Sequence, residues 1–134
     1  MSAIVNRHSD TVEYLLSTDT INVNHSDRLN STCLHKASEY CHSESIVRTL
    51  VSRMSVGMVN SRDMLFFHTA LAKAVRWNNT VAVTILGTTD YVLWDHTELL
   101  DTARARYVLS ITSHILYCFV KALTHVTDSN GKCP

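Results

Sequence analysis

Four side chains that can bind a metal ion occur between residues 33 and 42 of this 134-residue chain. They are Cys33, His35, Cys41 and His42, and thiolate and imidazole groups are the preferred ligands of zinc. Zinc motifs usually pair their ligands as Cys-x2-4-Cys or His-x3-5-His, and this stretch has neither spacing. We therefore favour structural roles for the four residues. A small Cys- and His-dependent metal protein stays as an alternative hypothesis.

The common catalytic motifs are absent from the sequence. It contains no Gly-x-Ser-x-Gly, no His-Glu-x-x-His and no Gly-rich phosphate loop. Cys118 is the one thiol considered as a nucleophile, but it shares an apolar helical stripe with Ile111 and Ile115, which favours a small core residue. His114 and His125 fall on the polar side of the same helix. We predict no catalytic residue, no cofactor and no metal.

The charge balance argues against several classes of partner. Twelve basic and twelve acidic side chains cancel, so no global field favours nucleic acid or a membrane surface. The first residues lack the apolar run of a secretory signal, and the four cysteines form no Cys-x-x-Cys pair. We expect a cytoplasmic or nuclear monomer that binds neither nucleic acid nor membrane. Aromatic residues beside Lys and Arg leave single-stranded nucleic acid as an alternative.

One segment is apolar enough to raise the question of a membrane span. Residues 107–123 are largely apolar, yet they include Ser110, His114 and Lys121. A spanning helix needs about 20 predominantly apolar residues. The polar side chains fall opposite the apolar stripe, so we predict an amphipathic helix at the end of the fold. Membrane insertion is the alternative.

Alanine residues recur at a nearly constant interval. Ala3, Ala37 and Ala74 are separated by 34 and 37 residues, and each is followed by a turn and a second apolar pattern. After Ala37 these are Cys41-His42 and Ile46-Val47-x-x-Leu50-Val51. A short helix pair cannot bury its apolar stripe alone and must stack on its neighbours. The interval therefore predicts an array of stacked helical units.

The clearest unit begins at Asn24-x-x-Asp27-x-x-Asn30 and continues with Thr32-Cys33-Leu34-His35-Lys36-Ala37. This order resembles an ankyrin repeat, whose pattern is Asn-x-x-Asp-x-x-Gly-x-Thr-Pro-Leu-His-x-Ala. The resemblance implies an all-α fold, an ankyrin-like helix-turn-helix solenoid with short hairpin loops between repeats. It also implies that His35 forms hydrogen bonds between repeats, and that the chain is a non-catalytic module that binds another protein.

The repeats define the expected domain organisation. We expect one ankyrin-repeat-like domain at residues 1–126, with units at approximately 1–23, 24–59, 60–92 and 93–126, followed by a flexible tail at 127–134. The first unit is short, so we expect either that the N-terminus is cut short or that an exposed face at residues 2–16 stacks on something else. With three Gly and one Pro in the chain, the repeats depart from the family pattern. A truncated repeat fragment without independent function is a further alternative.

Several residues have predicted structural roles. Thr32 is expected to cap a helix, and Asn30 to adopt a left-handed backbone where the family has Gly. Phe66 occupies that slot in the next unit, where strain predicts a different hairpin shape at residues 61–68. The shared core is expected to contain Leu34, Ala37, Ile46, Leu50 and Val51.

Residues at equivalent outward positions of successive units form the candidate binding surface. They combine aromatic, aliphatic and basic side chains, which suits a protein interface. The alternative is that the aromatic residues fill gaps left by missing Gly and Pro. The resemblance places the contacts on hairpin tips and concave inner helices. The candidate partner-binding residues are Arg28, Leu29, Lys36, Tyr40, Leu65, Phe67, Lys73 and Trp77.

Overall fold

The computed structural model describes residues 1–93 of the chain. This part contains seven α-helices and no strand, and its one β feature is an isolated bridge between Ser26 and Thr32. The all-α prediction is therefore confirmed here. The helices are α1 (Ser2–Val5), α2 (Ser9–Ser17), α3 (Cys33–Tyr40), α4 (Glu44–Arg53), α5 (Val56–Val59), α6 (Ala70–Arg76) and α7 (Thr80–Gly87).

Six of these helices form two layers. Helices α1, α3 and α6 pack side by side, and we call them the inner helices. Helices α2, α4 and α7 form the second layer, and each packs on the inner helix that precedes it. Every unit thus buries its apolar stripe against the next one, as the repeat pattern predicts.

Two threonines set the first turns of α3 and α6. The Thr32 hydroxyl accepts the His35 backbone N–H at 3.3 Å, and the Thr69 hydroxyl accepts the Ala72 N–H at 3.2 Å. Each threonine has an extended backbone and satisfies a donor that the first helical turn leaves free. The predicted capping role of Thr32 is confirmed.

Asn79 connects the second and third units. Its Oδ1 accepts the Ala82 N–H at 3.1 Å and caps α7, while its Nδ2 donates to the carbonyls of Cys41 at 2.6 Å and Ser38 at 3.1 Å. The side chain is fully buried. Asn79 forms hydrogen bonds with backbone groups at the ends of two helices at once. It therefore fixes the start of α7 against the end of α3.

The predicted core residues are confirmed. All five are buried, and full burial of a leucine or isoleucine side chain contributes about 1.5–3 kcal/mol. The recurring alanines Ala37 and Ala74 are also fully buried. Their small side chains let α3 and α6 pack closely, which is the most extensive helix contact of the described region.

The positions of the helices can be compared with the proposed units, which stay a prediction. Helices α1 and α2 lie within residues 1–23, α3 to α5 within 24–59, and α6 and α7 within 60–92. The predictions for residues 93–126 and 127–134, including the amphipathic helix with Cys118, His114 and His125, concern residues that lie largely or wholly outside the described ones. Within residues 1–93, no helix has the length and apolarity needed to cross a bilayer.

Candidate functional site

An aspartate closes the first of two hairpins, which spans residues 27–31 and precedes α3. The Asp27 backbone N–H donates to the Ser31 carbonyl at 3.0 Å. Its Oδ1 accepts the N–H groups of Leu29 and Ser31, both at 2.9 Å. Asn30 has a φ of 55°, which confirms the left-handed backbone predicted at this slot.

The second hairpin spans residues 63–68 and precedes α6. The Asp63 N–H donates to the His68 carbonyl at 3.0 Å, and Asp63 Oδ1 accepts the N–H groups of Phe66 at 3.1 Å and His68 at 3.0 Å. This hairpin is one residue longer than the first, and Phe67, with φ of 56°, takes the left-handed position. A different shape was predicted here, but the strained residue is Phe67 and not Phe66.

The two hairpins lie side by side. The Met64 N–H donates to the Leu29 carbonyl at 2.7 Å, and Asn30 Nδ2 donates to the Arg62 carbonyl at 2.9 Å. These two bonds join the tip of one unit to the tip of the next. Their side chains therefore contribute to one continuous surface.

The second hairpin exposes four consecutive large apolar side chains. They are Met64, Leu65, Phe66 and Phe67, of which Leu65 is 57% and Phe67 is 68% exposed. Leu29 of the first hairpin is exposed beside them. Single exposed apolar residues are common on soluble proteins, whereas a contiguous group marks an interaction surface or an aggregation site.

A basic side chain joins the second hairpin to the inner helix. The Arg76 guanidinium carbon lies 5.4 Å from the centroid of the Phe66 ring, within the range of a cation–π contact. Trp77 follows directly at the end of α6 and is 43% exposed. The exposed surface therefore extends from the hairpin tips to α6. We call it the tip surface and define it as Arg28, Leu29, Met64, Leu65, Phe66, Phe67, Arg76 and Trp77.

The structure corrects one of the eight predicted residues, because Lys73 does not face outward. It is only 7% exposed, and its Nζ lies 3.2 Å from Asp63 Oδ2 and 3.5 Å from Glu39 Oε2. Asp63 comes from its own hairpin and Glu39 from the preceding inner helix. Two carboxylates therefore hold the ammonium group inside the stack, where Lys73 has a structural role.

The other predicted residues lie on the hairpins or inner helices. Arg28, Leu29, Leu65, Phe67 and Trp77 are exposed and belong to the tip surface. Lys36 and Tyr40 are half-buried on α3, the inner helix next to α6. The charge of the adjacent Glu39 raises the pKa of the Tyr40 phenol above its ordinary value of 10.0.

Three tip-surface residues, Met64, Phe66 and Arg76, are not among the eight predicted contact residues. The sequence predicts a strained turn residue at Phe66 and assigns no role to Arg76. Arg76 stands two residues after Ala74, where Glu39 stands after Ala37. Superposing the units would have shown this change of charge, but the contact with Phe66 depends on the longer hairpin.

His35 connects three elements and is not a metal ligand in this arrangement. The Thr32 N–H donates to Nδ1 at 3.1 Å, which places the ring proton on Nε2, and Nε2 donates to the His68 carbonyl at 2.9 Å. Burial lowers the pKa of His35 below its ordinary value, although the bond to His68 and the charge of Asp63 oppose this shift. The neutral imidazole is the form that matches these hydrogen bonds, because Nδ1 accepts and Nε2 donates.

The remaining members of the Cys and His group do not converge either. The Cys33 thiol donates to the Val23 carbonyl at 3.3 Å, and burial raises the pKa of both Cys33 and Cys41. His42 is exposed. No three His, Cys, Asp or Glu side chains of residues 1–93 are gathered as a metal site.

The first unit contains an apolar cavity of about 110 Å³. It lies between α1, α2 and the following loop, and its lining includes Ile4, Val12 and Cys33. Helix α1 has only four residues, so it covers less of the core than α3 covers in the next unit. Stacking of this face on another surface stays a prediction.

The arrangement of hairpins and paired helices agrees with a comparison to known families. A family model described as ankyrin repeats, in three copies, matches residues 1–93. The chain belongs to the ankyrin-repeat family. No curated protein and no solved structure gives a significant match. Ankyrin repeats generally mediate protein–protein interactions and are typically non-enzymatic. Membership of the family does not identify the partner, so the partner has to be inferred from the surface of this chain.

Proposed function

We propose that this ankyrin-repeat protein is a non-catalytic module that binds a partner protein through the tip surface and the adjacent inner helices. The observation that carries the proposal is the run of four exposed apolar side chains from Met64 to Phe67. The first hairpin, which is built by the same hydrogen bonds, shows that the fold does not require such a run at its tip.

The energetics of the second hairpin support a binding role. A non-glycine residue in the left-handed region costs about 1–2 kcal/mol, and Phe67 gains little burial in return, since it is 68% exposed. Strain without compensating burial is typical of residues kept for binding. Aromatic residues beside arginine are also the usual anchors of protein interfaces.

We propose the cytoplasm or nucleus as the setting. Cys33 and Cys41 are free and buried thiols, which suits a reducing compartment. Lys36 and Tyr40 on α3 extend the proposed contact beyond the tip surface.

The proposal is tested by capture of partners from a cell lysate. The immobilised full chain is compared with its Leu65→Ala, Trp77→Ala variant, and bound proteins are identified by mass spectrometry. A matched control is Tyr14→Ala, Val56→Ala, which removes one exposed aromatic and one exposed aliphatic side chain from α2 and α5. We expect the control to retain the partner and the tip variant to lose it.

Two outcomes would contradict the proposal. Equal capture by all three proteins would show that the tip surface does not bind. A loss of helical circular dichroism in the Leu65→Ala, Trp77→Ala variant would show that these side chains stabilise the fold instead. Loss of capture with unchanged helicity is the expected result.

A further inference from the structure

We infer that the partner presents a short linear segment in which a large apolar side chain is flanked by Asp or Glu. The inference rests on the proposed function and specifies the chemistry that the tip surface would recognise. It depends on the charges around the hairpins, which differ strongly from the neutral average of the whole chain.

The second and third units carry an excess of positive charge. Residues 24–79 contain seven Lys or Arg and four Asp or Glu, whereas residues 1–23 contain one Arg and three Asp or Glu. The chain is neutral only because these regions and the remaining residues compensate one another. A partner that contacts the hairpins meets the local charge, since fields are screened beyond about 10 Å at ordinary ionic strength.

The carboxylates near the hairpins are used inside the fold. Asp27 and Asp63 each accept two backbone N–H groups of their own hairpin. Asp63 and Glu39 also neutralise the buried Lys73. Three of the four acidic residues of this region therefore compensate internal donors, and the fourth, Glu44, forms an ion pair with Arg48 on α4.

The basic side chains on the same side of the fold remain at the surface. Arg28 is exposed at the first hairpin, Lys36 is half-buried on α3, and neither forms an ion pair with a described residue. Arg76 is half-buried, and its guanidinium carbon lies over the Phe66 ring, 5.4 Å from the ring centroid. The tip surface thus combines apolar anchors with guanidinium and ammonium groups.

Charge complementarity favours an acidic segment over a second copy of this chain. A symmetric dimer places the same patch on both subunits, so the positively charged patch of one copy would face the equally positive patch of the other. Like charges brought together at an interface are unfavourable. A segment with Asp or Glu beside Leu, Phe or Trp instead matches both the charge and the apolar side chains.

The experiment selects random peptides displayed on phage against the immobilised full chain. We expect enrichment of peptides that carry Asp or Glu next to a large apolar residue. Enriched peptides are then synthesised, and their Kd is measured by fluorescence polarisation at low and at physiological salt. Raising the salt should weaken binding, because screening reduces the attraction between exposed charges.

Matched variants separate the charge from the apolar contact. Arg28→Ala should raise the Kd about fivefold, the upper end for one exposed ion pair. Arg48→Ala, which removes another exposed arginine, on α4, should leave it unchanged. Leu65→Ala, Trp77→Ala should abolish measurable binding. Replacing Asp and Glu of the peptide by Asn and Gln should have a larger effect than Arg28→Ala, since it removes every ionic contact.

The outcomes distinguish the inference from the proposed function. Enriched peptides that are neutral or basic, yet depend on Leu65 and Trp77, would overturn the acidic segment and leave the binding module intact. Peptides that bind the Leu65→Ala, Trp77→Ala variant equally well would contradict both. Failure to enrich any peptide would overturn the linear segment and leave a folded partner for lysate capture. A concentration-dependent dimer in sedimentation velocity, lost in that variant, would assign the surface to a second copy.

Discussion

The two hairpins share one hydrogen-bond scheme but expose different surfaces. In each, an aspartate closes the turn with its backbone and accepts two N–H groups with its carboxylate. The first hairpin places Asn30 in the left-handed position, while the second places Phe67 there and exposes four apolar residues in a row. The comparison shows that the aspartate sets the turn and that the residues between its contacts are free to serve another purpose.

The two lysines before the recurring alanines differ for a related reason. Lys36 meets a preceding inner helix in which Val5 occupies the position that Glu39 has one unit later. Lys73 meets Glu39 and also Asp63. Two carboxylates therefore accompany the burial of Lys73, whereas Lys36 forms no ion pair with a described residue and is half-buried.

The largest expected effect distinguishes the two aspartates. Asp63→Ala should lower the free energy of unfolding by about 3 kcal/mol, because it removes two hydrogen bonds and leaves Lys73 buried with one weaker partner. Asp27→Ala should cost about 1 kcal/mol, since Asp27 is half-buried and holds no lysine. Urea denaturation followed by circular dichroism measures both. Equal losses would show that the ion pair between Asp63 and Lys73 contributes nothing.

The stability that His35 provides by connecting the second hairpin to α3 should depend on pH. Its folded pKa lies below the ordinary value of 6.5 because burial disfavours the charged ring, so the unfolded chain binds the proton more readily. The stabilisation is complete above pH 6.5 and declines as the pH falls below it. Asp63 has a lowered pKa, since its hydrogen bonds and Lys73 outweigh burial, and its stabilisation declines only below pH 3.8.

Replacing His35 tests this link. His35→Gln should cost about 2 kcal/mol at neutral pH, because it disrupts the hydrogen bonds of the ring with Thr32 and with the His68 carbonyl. It should also reduce the difference between the urea midpoint measured at neutral pH and the midpoint measured below pH 6.5. A variant whose midpoint still falls as steeply as that of the wild type would assign the pH dependence to another group.

Phe67→Gly should stabilise the protein while weakening binding. Glycine removes the left-handed strain of about 1–2 kcal/mol, and the greater freedom of the unfolded chain takes back part of it, so we expect a gain of about 0.5–1 kcal/mol. Thermal denaturation measures the gain, and peptide or partner binding measures the loss. A destabilised variant would show that the ring contributes to the core despite its exposure.

Asn30→Gly is the matched change in the first hairpin and should have the smallest effect. Asparagine already tolerates the left-handed region, so glycine relieves little strain. The variant loses the bond from Asn30 Nδ2 to the Arg62 carbonyl. We expect a loss of about 0.5 kcal/mol in the free energy of unfolding. A gain for Phe67→Gly together with a loss for Asn30→Gly would show that the left-handed position is the more strained one in the second hairpin.

The periodic and local features of this protein were determined by its sequence alone. The recurring alanines and the apolar stripes predicted stacked helical units, and the resemblance to ankyrin repeats implied an all-α fold. Thr32, Asn30 and the five core residues have the predicted roles. These features depend on residues within a turn or two of one another, or on a repeat interval. Local backbone preferences and apolar patterning are sufficient to specify them.

Contacts between units were decided only by the tertiary structure. The burial of Lys73 requires Glu39 from another helix and Asp63 from a hairpin, and the position of Arg76 over Phe66 requires a hairpin one residue longer than its neighbour. The same extra residue moves the left-handed backbone from Phe66 to Phe67. Such features depend on distances between groups that are far apart in the chain, and a repeat pattern fixes the order of its units without fixing those distances.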